Sequence, residues 1–160
     1  IRRKQPQEMQ RNILTGIINR NVLSKALSEL IKETKDEIDY LESVSKSLDI
    51  ARSEDDLIQI KEELIESGFI RRKQSAKKVK ITSKPFHYIS SDGFHMYVGK
   101  NNLQNEELTF HFANDGDWWF HAKKAPGSHV IVKTNGEELP DRTFEEAARL
   151  AATLLEEFRG

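Results

Sequence analysis

Leu23, Leu27, Leu30, Thr34, Glu37, Leu41, Val44 and Leu48 fall at alternating steps of four and three, and Ile31 and Ile38 widen the stripe they draw. That spacing is the seam of a coiled coil, so the first part of the chain is expected to be a helix with one long face that needs a partner. Thr34 and Glu37 interrupt the apolar run, which predicts an imperfect coiled coil: one arm of an antiparallel hairpin, or a homodimer seam. On the outer faces Lys25/Glu29, Lys32/Asp36 and Lys35/Asp39 stand four apart, where opposite charges meet on a helix. Nearer the start, Pro6, Gly16, Asn12, Asn19 and Asn21 predict a broken or frayed beginning.

Ser53 followed by Glu54, Asp55 and Asp56 marks a second helix, with a side-chain cap and acids at the positive end of the helix dipole. Its expected apolar stripe is Leu57, Ile60, Leu64 and Ile65, and Gly68 stands where a left-handed stop is wanted. With 160 residues, an apolar share of 37% and a charged share of 32%, one small domain plus an elongated appendage fits better than one large core. There is no cysteine, so disulfides and thiolate metal sites are excluded. No apolar stretch approaches the roughly 20 residues of a membrane helix, and the cytoplasm is the expected compartment.

The net charge of −1 conceals segregation, for acids crowd residues 29–66 while Arg71 to Lys84 contains bases and no acid. Arg71, Arg72, Lys73, Lys77 and Lys78 read either as a solvated linker or as a strip for phosphates. After Pro85 the texture turns to strands. Phe86 to Ile89 and Phe94 to Val98 flank an Asp92-Gly93 hairpin signal. Glu107 to Ala113 alternates polar and apolar residues and predicts a strand that pairs with Asp117 to Ala122. His129 to Lys133 predicts a fifth strand, and Asp141 or Thr143 is expected to cap a last helix. The expected fold class is α+β: a helical coiled-coil arm over 1–70, a basic linker over 71–85, and over 86–160 a small antiparallel or mixed β-sheet with a C-terminal helix.

Two loops carry the candidate chemistry. Lys100, Asn101, Asn102, Gln104 and Asn105 put one cation and four amides into one turn, and Ser128 and His129 close a Pro-Gly loop. Amides read the donor and acceptor edges of bases, Trp118 or Trp119 supplies a stacking face, and His121 and Lys123 are further candidates beside Trp119. The structural reading of the same residues is that Asn-rich turns are turns and that one Trp of an adjacent pair points into a core.

The runs VGKNNLQNEELTF (Val98 to Phe110), DWWFHAKKAPGSHVIV (Asp117 to Val132) and ELPDRTFEEAARLAA (Glu138 to Ala152) resemble the NFACT-R module of the NFACT family, bacterial ribosome-quality-control factors also known as fibronectin-binding protein A. Residues 37–70 resemble the second arm of that family's coiled coil. The resemblance implies binding to obstructed large ribosomal subunits and to tRNA, and recruitment of alanyl-tRNA for C-terminal alanine tailing. It places the tRNA-selecting Asp-Arg pair in an N-terminal domain, so this chain is expected to act as a piece of a larger protein that does not tail peptides alone. Family members continue beyond the last helix through more strands, and a shortened module is expected here. Fibronectin binding is the alternative. His111, His121, His129 and Asp117 are the residues an enzyme would use, but no HExxH, clustered carboxylates or nucleophile motif joins them. Neither catalysis, a metal nor a cofactor is expected.

Overall fold

The computed structural model describes residues 6–72, 80–123 and 126–156. They form α1 (Pro6–Ile50), α2 (Glu54–Glu66), β1 (Phe86–Ile89), β2 (His95–Val98), α3 (Asn102–Glu107), a π-helical segment (Leu108–Phe112), β3 (Trp118–Phe120), β4 (Val130–Lys133) and α4 (Asp141–Glu156). The chain divides into two compact units, Ile1–Tyr40 and Leu41–Gly160.

In the first unit α1 runs unbroken from Pro6, against the expected fraying. Proline at the first helical position loses only an N–H that has no helical partner there, and its φ is already helical. Leu23, Leu27, Leu30, Ile31 and Ile38 of the expected seam are exposed. Thr34 turns its hydroxyl back to the Leu30 carbonyl at 2.8 Å, so this seam residue is satisfied within its own helix.

The second unit begins with the end of α1, where Val44, Ser47 and Ile50 are buried. It also takes in α2, which the sequence reading assigns to the arm. The expected Ser53 side-chain cap forms and is reciprocated as a capping box: Ser53 Oγ accepts from Asp56 N, and Asp56 accepts from Ser53 N. Gly68 closes the helix at φ +82°, with Ile70 N bonded to Leu64 O. The buried face of α2 departs from the expected stripe. Asp56, Gln59, Glu62 and Glu63 are buried beside Ile60, whereas Leu57 is exposed.

The hairpin at Asp92-Gly93 is present, with Gly93 at φ +89°. The sheet order is β1-β2-β4-β3, and every pairing is antiparallel. Met96, Val98, Val130 and Val132 form one face and pack with Ala147 and Ala151 of α4, flanked by Phe86, Phe94, Phe120, Leu139 and Leu150. Thr143 does not cap α4. The Pro140 carbonyl accepts from Phe144 N, while buried Thr143 places Oγ1 2.9 Å from Ser90 Oγ and 2.7 Å from Asp92 Oδ2, tying α4 to the hairpin turn.

The expected strand over Glu107 to Ala113 is helical. Asn101 caps α3, helix propagates from it, and the Ala113 N–H reaches back five residues to Leu108 O. Phe110, apolar and alternating as in a strand, is 75% exposed. β3 therefore pairs with β4 and lies at the sheet edge.

Candidate nucleic-acid interface

Among the candidate residues of the Asn-rich turn, the structure commits the side chains to the interior. Lys100 pairs through Nζ with Asp56 Oδ1, and both side chains are buried. Ser83 Oγ donates to the same carboxylate oxygen at 2.6 Å and accepts from Gln104 Nε2 at 2.8 Å. Burial alone pushes the Asp56 carboxyl up. Hydrogen bonds from Lys100, Ser83 and the Arg52 backbone outweigh that and leave it at about 2.

Gln59 Oε1 accepts from Asn101 Nδ2 at 2.9 Å and from Gln104 Nε2 at 2.7 Å. Asn102 Nδ2 donates to Ser43 Oγ and Glu63 Oε1. Asn101 Oδ1 accepts from Gln104 N, and Gln104 Oε1 accepts from Lys100 N. Lys100, Asn101, Asn102 and Gln104 thus join the module to α2 and the end of α1. The amides that suggest base reading have protein partners instead. A signal for this was the spacing of Asp56, Gln59 and Glu63, at i, i+3 and i+7, which puts three hydrogen-bonding residues on one face of α2.

Asn105 links the two motif loops. Its Nδ2 donates to Gly127 O at 3.3 Å, and its Oδ1 accepts from His129 N at 2.9 Å. A Cβ at Gly99 would stand 2.1 Å from that Oδ1, so only glycine leaves room for the asparagine. Ser128 is buried, and its hydroxyl has no partner among the described residues. Asp117 accepts from Asn114 N, Lys133 Nζ and Thr134 N. Against the upward push of burial these bonds lower its pKa, and they anchor the start of β3.

In the basic stretch, Arg72 forms a two-pronged bond with Glu62, and Arg71 is exposed. Lys73, Lys77 and Lys78 lie outside the described residues.

The remaining candidates meet on the edge strand. Trp118 and Phe120 face α4, each set edge-on to Phe144. Trp119 points to the opposite face and is 51% exposed. His121 lies beside it with ring planes 22° apart, and His129 is set edge-on to both, at 5.2 Å from Trp119 and 4.8 Å from His121. His121 and Lys123 are exposed, and His129 is half-buried. Burial, then the charge of His121, lowers the His129 pKa, offset in part by a hydrogen bond to the Asn105 backbone. Thr109, which the sequence reading did not single out, lies 2.7 Å from His129 Nδ1. The misread strand hid it, since only a helical turn brings residue 109 to that ring. No group of three or more histidines and carboxylates suited to a metal occurs among the described residues.

Trp119 is thus exposed on the edge strand, with His121 and Lys123 exposed just beyond its end. Residues 84–156 match the family model described as NFACT protein RNA binding domain, and residues 23–83 match that of the NFACT N-terminal and middle domains. The chain belongs to the NFACT family. It is similar to the Rqc2 homolog RqcH of Streptococcus pneumoniae, 50% identical over 129 residues, which is 80% of this chain and 23% of the relative. RqcH of Bacillus subtilis is 38% identical over 131 residues, 79% of this chain and 22% of the relative. The human ribosome quality control complex subunit NEMF is 32% identical over 79 residues, 49% of this chain and 7% of NEMF. The solved C-terminal part of the fibronectin/fibrinogen-binding protein from Streptococcus suis superposes with a TM-score of 0.80 at 43% identity, covering 89% of this chain and 57% of that one. The chain spans less than a quarter of the length of these RqcH relatives.

Proposed function

We propose that this chain is the RNA-facing part of a ribosome-quality-control factor that engages stalled large ribosomal subunits and tRNA in the cytoplasm during C-terminal alanine tailing. Its part in that process is binding, with no catalytic step and no cofactor of its own. The observation that carries this reading is the exposed edge of Trp119, His121 and Lys123 within the segment that matches the family's RNA-binding domain. Aromatic faces take bases and cations take phosphates, and the sequence from Arg71 to Lys84 supplies further cations with no acid among them. The exposed apolar stripe of α1 suits a coiled-coil partner, either the other arm of a longer chain or a second copy.

Co-sedimentation with purified large subunits and tRNA over a salt series tests the reading. Binding that weakens steeply with salt is expected. Salt-insensitive binding, or none, overturns it. Fibronectin belongs in the same experiment as a parallel ligand, because the similar Streptococcus suis protein is named for fibronectin and fibrinogen binding. Saturable fibronectin binding without RNA binding would favour that second reading.

A further inference from the structure

We infer that the β3 edge holds one unpaired RNA base, stacked on Trp119 and hydrogen-bonded through a donor on its own edge to Nε2 of His129. The inference rests on the RNA reading above and specifies the ligand of that surface.

Thr109 Oγ1 lies 2.8 Å from Asn105 O and 2.7 Å from His129 Nδ1. Contacts that short between electronegative atoms each need a proton, and the hydroxyl has one. If it went to Nδ1, two oxygen lone pairs would face each other at 2.8 Å. The hydroxyl therefore donates to Asn105 O, and Nδ1 carries the hydrogen that it donates to Thr109. This assigns the tautomer of His129. Its Nε2 is an acceptor, and no hydrogen bond among the described residues uses it. Burial and His121 both work against protonation, so the neutral ring persists at neutral pH.

That acceptor stands beside an aromatic surface with little packing to do. Trp118, on the other face of the same strand, packs on Phe144, whereas the rings nearest Trp119 are His121 and His129. Among the described residues no strand pairs on the outer side of β3, which leaves that edge of the described sheet open to a base. Paired bases have their faces stacked and their Watson–Crick donors engaged, whereas an unpaired base offers both a free face and a free Watson–Crick N–H. Lys123, two residues beyond His121, is exposed for the flanking phosphate. The Thr109 residue that fixes the imidazole belongs to a π-helical turn, a local insertion that recurs at functional positions.

The 160-residue chain carrying Trp118→Phe reports on Trp119 by fluorescence. Short oligouridylate is expected to quench it saturably, and a blunt RNA duplex of equal charge is expected to quench it far less. Oligo-3-methyluridylate, which lacks the single N–H donor of uracil, is expected to bind roughly tenfold more weakly. Trp119→Ala is expected to lower affinity roughly tenfold or more, with Trp119→Phe retaining most of it. Nitrogen NMR of the His129 ring is expected to show a protonated Nδ1 and a bare Nε2 that shifts when oligouridylate binds. It reads the native chain and remains decisive should a variant fail to fold. RNA bound with an unmoved Nε2 signal, or equal affinity for duplex and for methylated RNA, overturns the inference and leaves the RNA reading standing. Binding of no RNA at all overturns both.

Discussion

Lys100 places its ammonium against Asp56, the residue that completes the capping box of α2, so one carboxylate both starts a helix and anchors the sheet module to it. Removing its charge while keeping its shape exposes the consequence. In Asp56→Asn the lysine remains buried without its counter-charge, a change that costs about 3–5 kcal/mol. Urea unfolding should show that loss, and the double variant Asp56→Asn/Lys100→Met, which removes the buried lysine charge as well, should be markedly milder.

Acid acts on the same pair. The Asp56 carboxyl titrates at about 2 in the folded chain against an ordinary 3.8. A depressed carboxylate contributes stability that is fully present above its unfolded value and is lost as pH falls through the folded one. The difference is worth about 2 kcal/mol. Melting temperature should therefore fall between pH 4 and pH 2 in the native chain, and Asp56→Asn should lack this component of the fall.

Gly99→Ala tests the link between the two motif loops. The new methyl meets Asn105 Oδ1 and forces it away from His129 N. A loss of about 1–3 kcal/mol is expected from the unsatisfied amide groups. The His129 ring signals in an NMR spectrum should shift even where the overall fold persists.

Lys123→Glu separates charge from stacking. Lys123 is exposed in its turn, so stability should change by less than about 0.5 kcal/mol. RNA affinity should fall across all sequences, and the slope of log affinity against log salt should drop by about 1 or more. An unchanged slope would remove Lys123 from the interface.

The long helix, the Ser53 cap, the Gly68 stop and the Asp92-Gly93 hairpin were legible because each rests on neighbours in the chain. The helical turn over Leu108–Phe112 was not. Its alternation mimics a strand, and only the helix already running from Asn101 overrides it. The interface was half legible for a related reason. Composition shows that Lys100, Asn101, Asn102 and Gln104 seek hydrogen bonds but not whether RNA or α2 supplies them, and the answer depends on contacts some 40 residues away in sequence. The exposure of Trp119 follows from strand alternation once β3 is known to be the edge, whereas His121 and Lys123 lie beyond that strand.

A contact between greasy surfaces can slide by a residue and lose little. The contact between α2 and the Asn-rich turn cannot, because Gln59 accepts from two different amides and Asp56 from a lysine and a serine. Shifting α2 along its axis would break these bonds together. The joint behaves like a keyed shaft, so torque on α2 reaches the sheet without slip.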